Sequence, residues 1–225
     1  MTNKTRSRSS LSPEGVKETL DRRFSQFRGH EQQDAHEYLQ CILNTLHNDL
    51  RSGEKESIKD GDVLSPLQFW ISHTTRNRSV VQDQFEGLTT SLTTCPKCSF
   101  TRRTNEPFMI MTLPIPKKKD LRLYDCLEHL LSQNETLSES NAWHCERCDE
   151  DVLATRSTSI WYLPDTLVFC LKRFQGDKKE GEDDDGDKKS PKKITSSIEY
   201  PVRGLDMSRF WRCDCTWCLS LSLSI

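Results

Sequence analysis

Two Cys-x-x-Cys pairs, Cys95-Pro96-Lys97-Cys98 and Cys145-Glu146-Arg147-Cys148, constrain this chain more than any other feature of its sequence. Together they offer four thiolates, the number that closes the tetrahedral shell of a structural zinc ion. The pairs are 46 residues apart, well beyond the roughly 15–20 residues of a compact zinc ribbon. We therefore expect zinc to join two distant segments, each at the end of its own hairpin. Two disulfides or four reduced buried thiols are the alternatives.

Length, charge and composition narrow the class of protein. The 225 residues suffice for one large domain or two small ones. An apolar fraction of 34% is low for a tightly packed globule, so either much of the chain is solvated or part of the core is absent. The net charge of −2 favours neither a nucleic-acid partner nor a membrane surface. No apolar run approaches the about 20 residues that span a bilayer.

The cysteine content also bears on the cellular compartment. Ten cysteines would suit a secreted scaffold, but residues 2–10 are polar and basic, and no apolar signal segment follows Met1. We therefore expect an intracellular protein, in the cytoplasm, the nucleus or both. In that reducing environment paired cysteines are typical of metal ligands rather than disulfides.

The clearest helix of the sequence lies in its first quarter. Residues 1–10 lack apolar periodicity and are predicted to form a flexible leader. A helix is predicted to begin near Gln32, because apolar residues then recur at helical spacing. These residues are Ala35, Tyr38, Leu39, Ile42, Leu43, Leu46 and Leu50.

The region around the first cysteine pair is rich in β-prone residues. Residues 80–94 and 101–116 are predicted to be the arms of a long hairpin with Cys95 and Cys98 at its tip. A short helix should follow, with Asp120 as its N-cap.

Two further segments follow the second cysteine pair. Residues 167–174 form a nearly unbroken apolar run, which predicts a strand buried on both faces. Residues 176–193 are a block of charges, predicted to be a disordered loop, with an electrostatic interaction patch as the alternative.

Several motifs follow one another in a fixed order between Leu11 and Phe210. They are Phe27-Arg28-Gly29-His30-Glu31-Gln32-Gln33-Asp34-Ala35-His36-Glu37-Tyr38-Leu39, Phe85-Glu86-Gly87, the two cysteine pairs with Trp143, Leu163-Pro164, Leu167-Val168-Phe169, Leu171-Lys172-Arg173-Phe174, Tyr200-Pro201 and Leu205-Asp206-Met207. Each motif is weak alone, but in this ordered combination the sequence resembles the ubiquitin-specific protease family from Leu11 to Phe210.

The resemblance implies an α+β fold shaped like a hand, with the zinc ribbon at the tip of its fingers. Residues 11–79 would then form part of the thumb, 80–160 the fingers with a helix, and 161–210 part of the palm. Residues 211–225 do not match and form a divergent tail. The family hydrolyses the bond after the C-terminal glycine of ubiquitin with a Cys–His pair. The resemblance thus implies a thiol-dependent deubiquitinase.

In the family, acidic residues at the positions of Asp34 and Glu37 hold the arginine-rich tail of ubiquitin. The two carboxylates are three residues apart and should share one edge of the helix, where guanidinium groups can bind them bidentately. Gln33 is a further candidate for this contact. The alternative is that both carboxylates only favour the positive end of the helix.

The sequence departs from the family at both halves of the catalytic pair, so no catalytic residue is assigned. The family's nucleophile lies in a box resembling Gly-Leu-x-Asn-x-Gly-Asn-Thr-Cys upstream of the helix, but no cysteine precedes Cys41. Its base follows in a Gly-Gly-His-Tyr context, but no histidine follows His144. We expect Cys41 to be a partly buried helix residue, and Cys126 and Cys170 to pack in the core. His144 is a candidate spare zinc ligand.

Three hypotheses for function follow from these observations. The first is a fragment of a deubiquitinase that is itself inactive. The second is a non-enzymatic module, such as a splice form, that binds and sequesters ubiquitin. The third, a zinc-ribbon nucleic-acid binder, is disfavoured because the chain lacks a basic face interleaved with aromatic residues.

Overall fold

A computed structural model of the chain describes five stretches of residues: 12–29, 31–52, 64–132, 135–175 and 192–211. The predicted leader at 1–10, the divergent tail after Trp211 and the predicted loop up to residue 191 lie outside these stretches. The described residues mix helices and strands, as predicted for an α+β protein.

Several of the helices begin where a polar side chain caps the first backbone N–H groups. Ser65 forms a capping box with Gln68, and Pro66 occupies the first helical position. Ser79 accepts a hydrogen bond from the backbone of Gln82. No helix within the described stretches is long and apolar enough to cross a bilayer. The helices are α1 (Glu14–Arg23), α2 (Ala35–Leu50), α3 (Pro66–Arg76), α4 (Val80–Phe85) and α5 (Leu123–Ser132).

The strands are short except for three strands of 8 residues that belong to one antiparallel sheet. In chain order they are β1 (Gly87–Thr94), β2 (Thr101–Phe108), β3 (Ile110–Leu113), β4 (Leu121–Arg122), β5 (Glu135–Thr136), β6 (Trp143–Cys145), β7 (Glu150–Val152), β8 (Thr155–Tyr162), β9 (Val168–Leu171), β10 (Phe174–Gln175), β11 (Lys192–Lys193) and β12 (Ile198–Glu199).

The largest sheet has the strand order β2-β1-β8-β5 and positions the first cysteine pair. Its β1–β2 hairpin pairs in register from Gly87↔Phe108 to Thr94↔Thr101. The turn between the two strands, which carries Cys95 and Cys98, therefore lies at the tip of the hairpin. We call such a turn around a Cys-x-x-Cys pair a knuckle. Strands β6 and β7 form a second, smaller hairpin that carries the other pair. The predicted arrangement of two hairpins is therefore confirmed.

The main hydrophobic core lies between α5 and the strands around it. Leu113, Leu127 and Ile160 have no exposed surface. Parallel pairs β3–β9 and β4–β12 close the core around the helix. Its buried members are Met111, Leu113, Ile115, Leu121, Leu123, Cys126, Leu127, Ile160, Ile198 and Phe210.

Residues 80–85 are helical, so the prediction of a β-strand beginning at Val80 was wrong. Val80, Val81 and Phe85 are β-prone side chains, but Ser79 caps a helical turn through its bond to the backbone of Gln82. The strand begins only at Gly87. The capping interaction outweighed the residues' β-propensity, which is a weak guide to local structure.

Three other expectations need correction. Asp120 does not cap α5: it has a positive φ of 51°, and the backbone N–H of Arg122 donates to Asp125 instead. Strand β9 is half-buried along its length rather than buried on both faces, because β3 is its only strand partner among the described residues. The last two residues of the predicted loop form β11 and pair with β10.

Candidate functional site

Two hairpin tips bring the four paired cysteines together. The β1–β2 tip supplies Cys95 and Cys98, and the β6–β7 tip supplies Cys145 and Cys148. Their sulfur atoms all lie within 4.8 Å of one another. We call these four residues the cysteine cluster.

The spacing of the sulfur atoms fits a tetrahedral metal shell. The Sγ atoms of Cys95 and Cys148 are 3.9 Å apart, and those of Cys98 and Cys145 are 3.7 Å apart. A zinc ion with Zn–S bonds of about 2.3 Å requires S–S edges of about 3.8 Å. All four cysteines are free thiols, so the two-disulfide alternative does not describe this structure.

The four thiols of the cluster lie so close together that the negative charge of one thiolate opposes ionisation of the others. Burial opposes ionisation of Cys95, but the backbone N–H groups of Cys98 and Lys97 and the neighbouring thiols lower its pKa to about 7. Contact with the Cys98 thiol, together with burial, raises the pKa of Cys148 to about 12. The first thiolate thus disfavours the next. A bound divalent cation would remove this penalty and allow all four sulfurs to ionise.

Each knuckle ends in a left-handed residue that the sequence analysis missed. Ser99 has a φ of 57° and Asp149 a φ of 56°. In both knuckles this residue's N–H donates to the carbonyl of the first cysteine, at 3.0 Å in one and 2.8 Å in the other. The two turns are therefore the same structure built twice. Aspartate adopts this conformation more readily than most residues. Asp149 could therefore have predicted a left-handed residue from the sequence, whereas Ser99 could not.

Side chains around the cluster hold the two hairpins together. Lys97 pairs with Glu150, and Arg102 pairs with Glu146. The rings of Phe100 and Trp143 stack with their centroids 6.3 Å apart. These three contacts were not foreseen, because nothing in the spacing of the residues shows that they lie opposite one another.

His144 is not part of the cluster, although it precedes Cys145. Its ring nitrogens lie 3.2 Å from Asp151 and 3.4 Å from Asp149, and its side chain is 56% exposed. The structure does not support the minor alternative of a spare ligand at His144. Among the described residues, the cysteine cluster alone brings three or more metal-ligating side chains together.

The other candidate residues, Gln33, Asp34 and Glu37, lie at the start of α2 and are exposed. Asp34 is the N-cap, and its carboxylate accepts a hydrogen bond of 2.8 Å from the backbone N–H of His36. Glu37, in the first turn, accepts a bond of 2.8 Å from the side-chain amide of Gln26. The two carboxylates thus lie within one helical turn.

The prediction that this helix begins near Gln32 was wrong by three residues, because α2 begins at Ala35. Asp34 is therefore a capping residue rather than a member of the first turn. The alternative role foreseen for this carboxylate, favouring the positive end of the helix, is realised in its bond to His36. Both carboxylates are exposed, so a cation in solution can reach them.

The described thiols outside the cluster, Cys41, Cys126 and Cys170, all have pKa values raised mainly by burial. Burial, with a smaller effect of the Glu37 charge, raises the pKa of Cys41. Burial, and then the Asp34 charge, raises the pKa of Cys170 in β9. Cys126 is fully buried in the core, as predicted, and burial raises its pKa as well. A nucleophilic cysteine requires the opposite shift.

Comparison with known proteins identifies the family. The sequence model described as "Ubiquitin carboxyl-terminal hydrolase" matches residues 1–216. The chain therefore belongs to the ubiquitin carboxyl-terminal hydrolase family, and the resemblance to ubiquitin-specific proteases is confirmed.

Curated relatives are similar along most of this chain. It is 30% identical over 215 residues to ubiquitin carboxyl-terminal hydrolase 2 of Gallus gallus, covering 92% of this chain and 57% of that protein. It is 28% identical over 222 residues to ubiquitin carboxyl-terminal hydrolase 4 of Saccharomyces cerevisiae, covering 91% of this chain and 22% of that protein. The chain thus spans between about a fifth and three fifths of these two relatives.

Solved structures show the same fold. The SAGA Ubp8/Sgf11/Sus1/Sgf73 DUB module bound to ubiquitin aldehyde matches with a TM-score of 0.60 and 26% identity, covering 88% of this chain and 37% of that chain. A SAGA DUB module bound to monoubiquitin matches with the same score and identity over 89% of this chain and 38% of that chain. These matches confirm the predicted α+β fold of the protease family.

Proposed function

We propose that this chain is a zinc-containing part of a deubiquitinase that binds ubiquitin but does not itself hydrolyse ubiquitin conjugates. The family match over residues 1–216 carries the proposal. The likeness to modules bound to ubiquitin aldehyde and to monoubiquitin supports ubiquitin as the partner. The parent activity is thiol-dependent hydrolysis of the bond after the C-terminal glycine of ubiquitin.

The division of the chain into parts of a hand belongs to this proposal. Residues 11–79 form part of the thumb, residues 80–160 the fingers, and residues 161–210 part of the palm. The long β1–β2 hairpin with the cysteine cluster at its tip supports the placement of the fingers.

Zinc is the proposed occupant of the cysteine cluster. Four thiolates leave no open position for a substrate or water, so the ion would be structural and would join the two hairpins. The sulfur spacing and the absence of disulfides within the cluster support this assignment. The proposal places the protein in the cytoplasm, the nucleus or both, where thiols stay reduced and can bind zinc.

Ubiquitin's arginine-rich tail is proposed to lie against the start of α2, at Gln33, Asp34 and Glu37. Both carboxylates are exposed and three residues apart, and no lysine or arginine pairs with either of them among the described residues. Because solvent screens exposed ion pairs, each contact is worth under about 1 kcal/mol. Binding through this edge alone should therefore be weak and sensitive to salt.

The proposed lack of hydrolysis rests on the cysteine and histidine residues of this chain. The sequence has no cysteine before Cys41 and no histidine after His144, and Cys41, Cys126 and Cys170 have raised pKa values. A protonated thiol attacks a carbonyl poorly at neutral pH. A non-enzymatic role that sequesters ubiquitin is the second candidate function, and it is favoured by the same residues.

Two assays on the purified chain test this proposal together. In the first, immobilised ubiquitin should retain the chain at low salt and release it at high salt. In the second, a ubiquitin C-terminal fluorogenic substrate should show no turnover, and an electrophilic ubiquitin probe should form no adduct. Absence of retention would refute ubiquitin binding. Covalent labelling of Cys41, Cys126 or Cys170 would refute inactivity and reveal a rearranged active site.

A further inference from the structure

We propose that the cysteine cluster is a redox-sensitive clasp, in which hydrogen peroxide closes disulfides between the two hairpins and releases the zinc. The proposal rests on zinc as the occupant of the cluster. It adds a reversible modification, with defined cysteine partners, to a site that otherwise only binds metal.

The pairing follows from the sulfur contacts that cross between the hairpins. Cys148 contacts Cys95 at 3.9 Å, and Cys98 contacts Cys145 at 3.7 Å. Each contact joins a half-exposed thiol to a buried one: Cys98 and Cys148 are partly accessible, whereas Cys95 and Cys145 are 1% and 0% exposed. The accessible member can meet the oxidant, and its buried partner is in place to resolve the product.

The hairpins have other links that keep these partners together when the metal leaves. The ion pairs Lys97–Glu150 and Arg102–Glu146 connect the two tips. The stacked rings of Phe100 and Trp143 connect them from another side. Sulfurs held within 3.9 Å need to approach by about 1.9 Å to reach a disulfide bond length of about 2.05 Å.

The chemistry balances with peroxide as the only oxidant. The thiolate of Cys148 attacks one peroxide oxygen, which breaks the O–O bond and gives a sulfenic acid and hydroxide. The thiolate of Cys95 then attacks the sulfenyl sulfur, forms the disulfide and expels a second hydroxide. The two sulfurs together lose two electrons, the peroxide gains them, and buffer protonates the two hydroxides to water. Cys98 and Cys145 follow the same steps with a second peroxide.

Metal release follows because a disulfide sulfur is no longer a thiolate ligand. One disulfide removes two of the four ligands, and a second removes the rest. Reduction by a dithiol should restore the ligands, since a disulfide is the reversible product of this oxidation.

The test uses the full chain, loaded with zinc and titrated with hydrogen peroxide. A chromogenic chelator reports the zinc released, and peptide mapping without reduction reports the disulfides. Trypsin cleaves after Lys97 and Arg147, so it separates the two cysteines of each motif onto different peptides. A second digestion after glutamate separates Cys126 from Cys145, because Glu139 lies between them.

We expect about one zinc released per chain, with Cys95 joined to Cys148 and Cys98 joined to Cys145. Dithiothreitol followed by zinc should restore the loaded protein. Cys41→Ser, a variant outside the cluster, should release zinc with the same peroxide dependence. Disulfides within each motif, or sulfinic acids in place of disulfides, would overturn the proposal. A chain that purifies without zinc would refute the metal assignment, while the peptide map would still decide the pairing.

Discussion

Gly87 is the position where a single methyl group should do the most damage to this fold. It begins β1 directly opposite Phe108 of β2. A Cβ at this position would lie 2.5 Å from Cζ and 2.8 Å from Cε1 of Phe108. It would also lie 2.8 Å from the backbone carbonyl oxygen of Tyr162. All three approaches are shorter than van der Waals contact allows.

The cost of Gly87→Ala depends on which neighbours can move. The Phe108 ring can rotate or shift, but the Tyr162 carbonyl belongs to β8, which is paired with β1. Overpacking of this kind costs about 1–3 kcal/mol. Because part of the clash is with backbone, we expect a loss of about 2–3 kcal/mol in the free energy of unfolding.

Urea denaturation followed by tryptophan fluorescence measures this loss. The ring centroids of Trp70 and Tyr162 are 4.7 Å apart, so unfolding around Gly87 changes the surroundings of Trp70. Gly15→Ala is the matched control. A Cβ at Gly15 meets nothing within 4 Å, so it should leave stability unchanged or raise it by up to about 1 kcal/mol. Adding Phe108→Leu should recover part of the Gly87→Ala loss. A loss below about 0.5 kcal/mol, as for an ordinary surface substitution, would refute the packing argument.

Three further predictions concern the metal, acid stability and helix capping. Cys95→Ser should lose the zinc and increase proteolysis within residues 80–160, whereas Cys41→Ser should do neither; retained zinc by elemental analysis would contradict this. A hydrogen bond from Lys118, with a backbone N–H from Arg122, lowers the pKa of Asp125. Its stabilisation is therefore complete above the unfolded-state pKa of about 3.9 and lost as pH falls through the folded value. Acid denaturation of Asp125→Asn should lack this component, and unchanged curves would contradict it. Ser65→Ala should cost about 1 kcal/mol in urea denaturation, because it removes the capping box of α3; an unchanged midpoint would count against that role.

Much of the metal site could be predicted from the sequence, because cysteine spacing is a local signal with few structural solutions. The two Cys-x-x-Cys pairs implied two hairpin tips and a shared site, and the structure contains both. The contacts that surround the site, such as Lys97 with Glu150, join residues more than 40 positions apart. No periodicity or spacing encodes such pairs, so they required the structure.

Helix boundaries were predicted less well, because a capping side chain decides them against the hydrophobic pattern. Ser79 converts the β-prone run after it into α4, and Asp34 moves the start of α2 to Ala35. The position of Asp34 bears on function. Its carboxylate caps α2 through the hydrogen bond from the backbone of His36. Any contribution of Asp34 to binding ubiquitin must therefore be measured separately from its contribution to the helix.

Calorimetric titration with ubiquitin makes that separation and shows whether the start of α2 binds the tail of ubiquitin. Asp34→Asn keeps a capping oxygen but removes the charge, whereas Asp34→Ala removes both. Glu18→Gln, an exposed charge change on α1, is the control for net charge.

We predict that intact ubiquitin binds weakly, and that ubiquitin without its C-terminal tail binds more weakly still. Asp34→Asn should weaken binding of intact ubiquitin by about two- to fivefold, as expected for an exposed charge pair, while Glu18→Gln leaves it unchanged. Equal affinity for both forms of ubiquitin, with no effect of Asp34→Asn, would mean that the start of α2 does not hold the tail and that Asp34 serves only the helix.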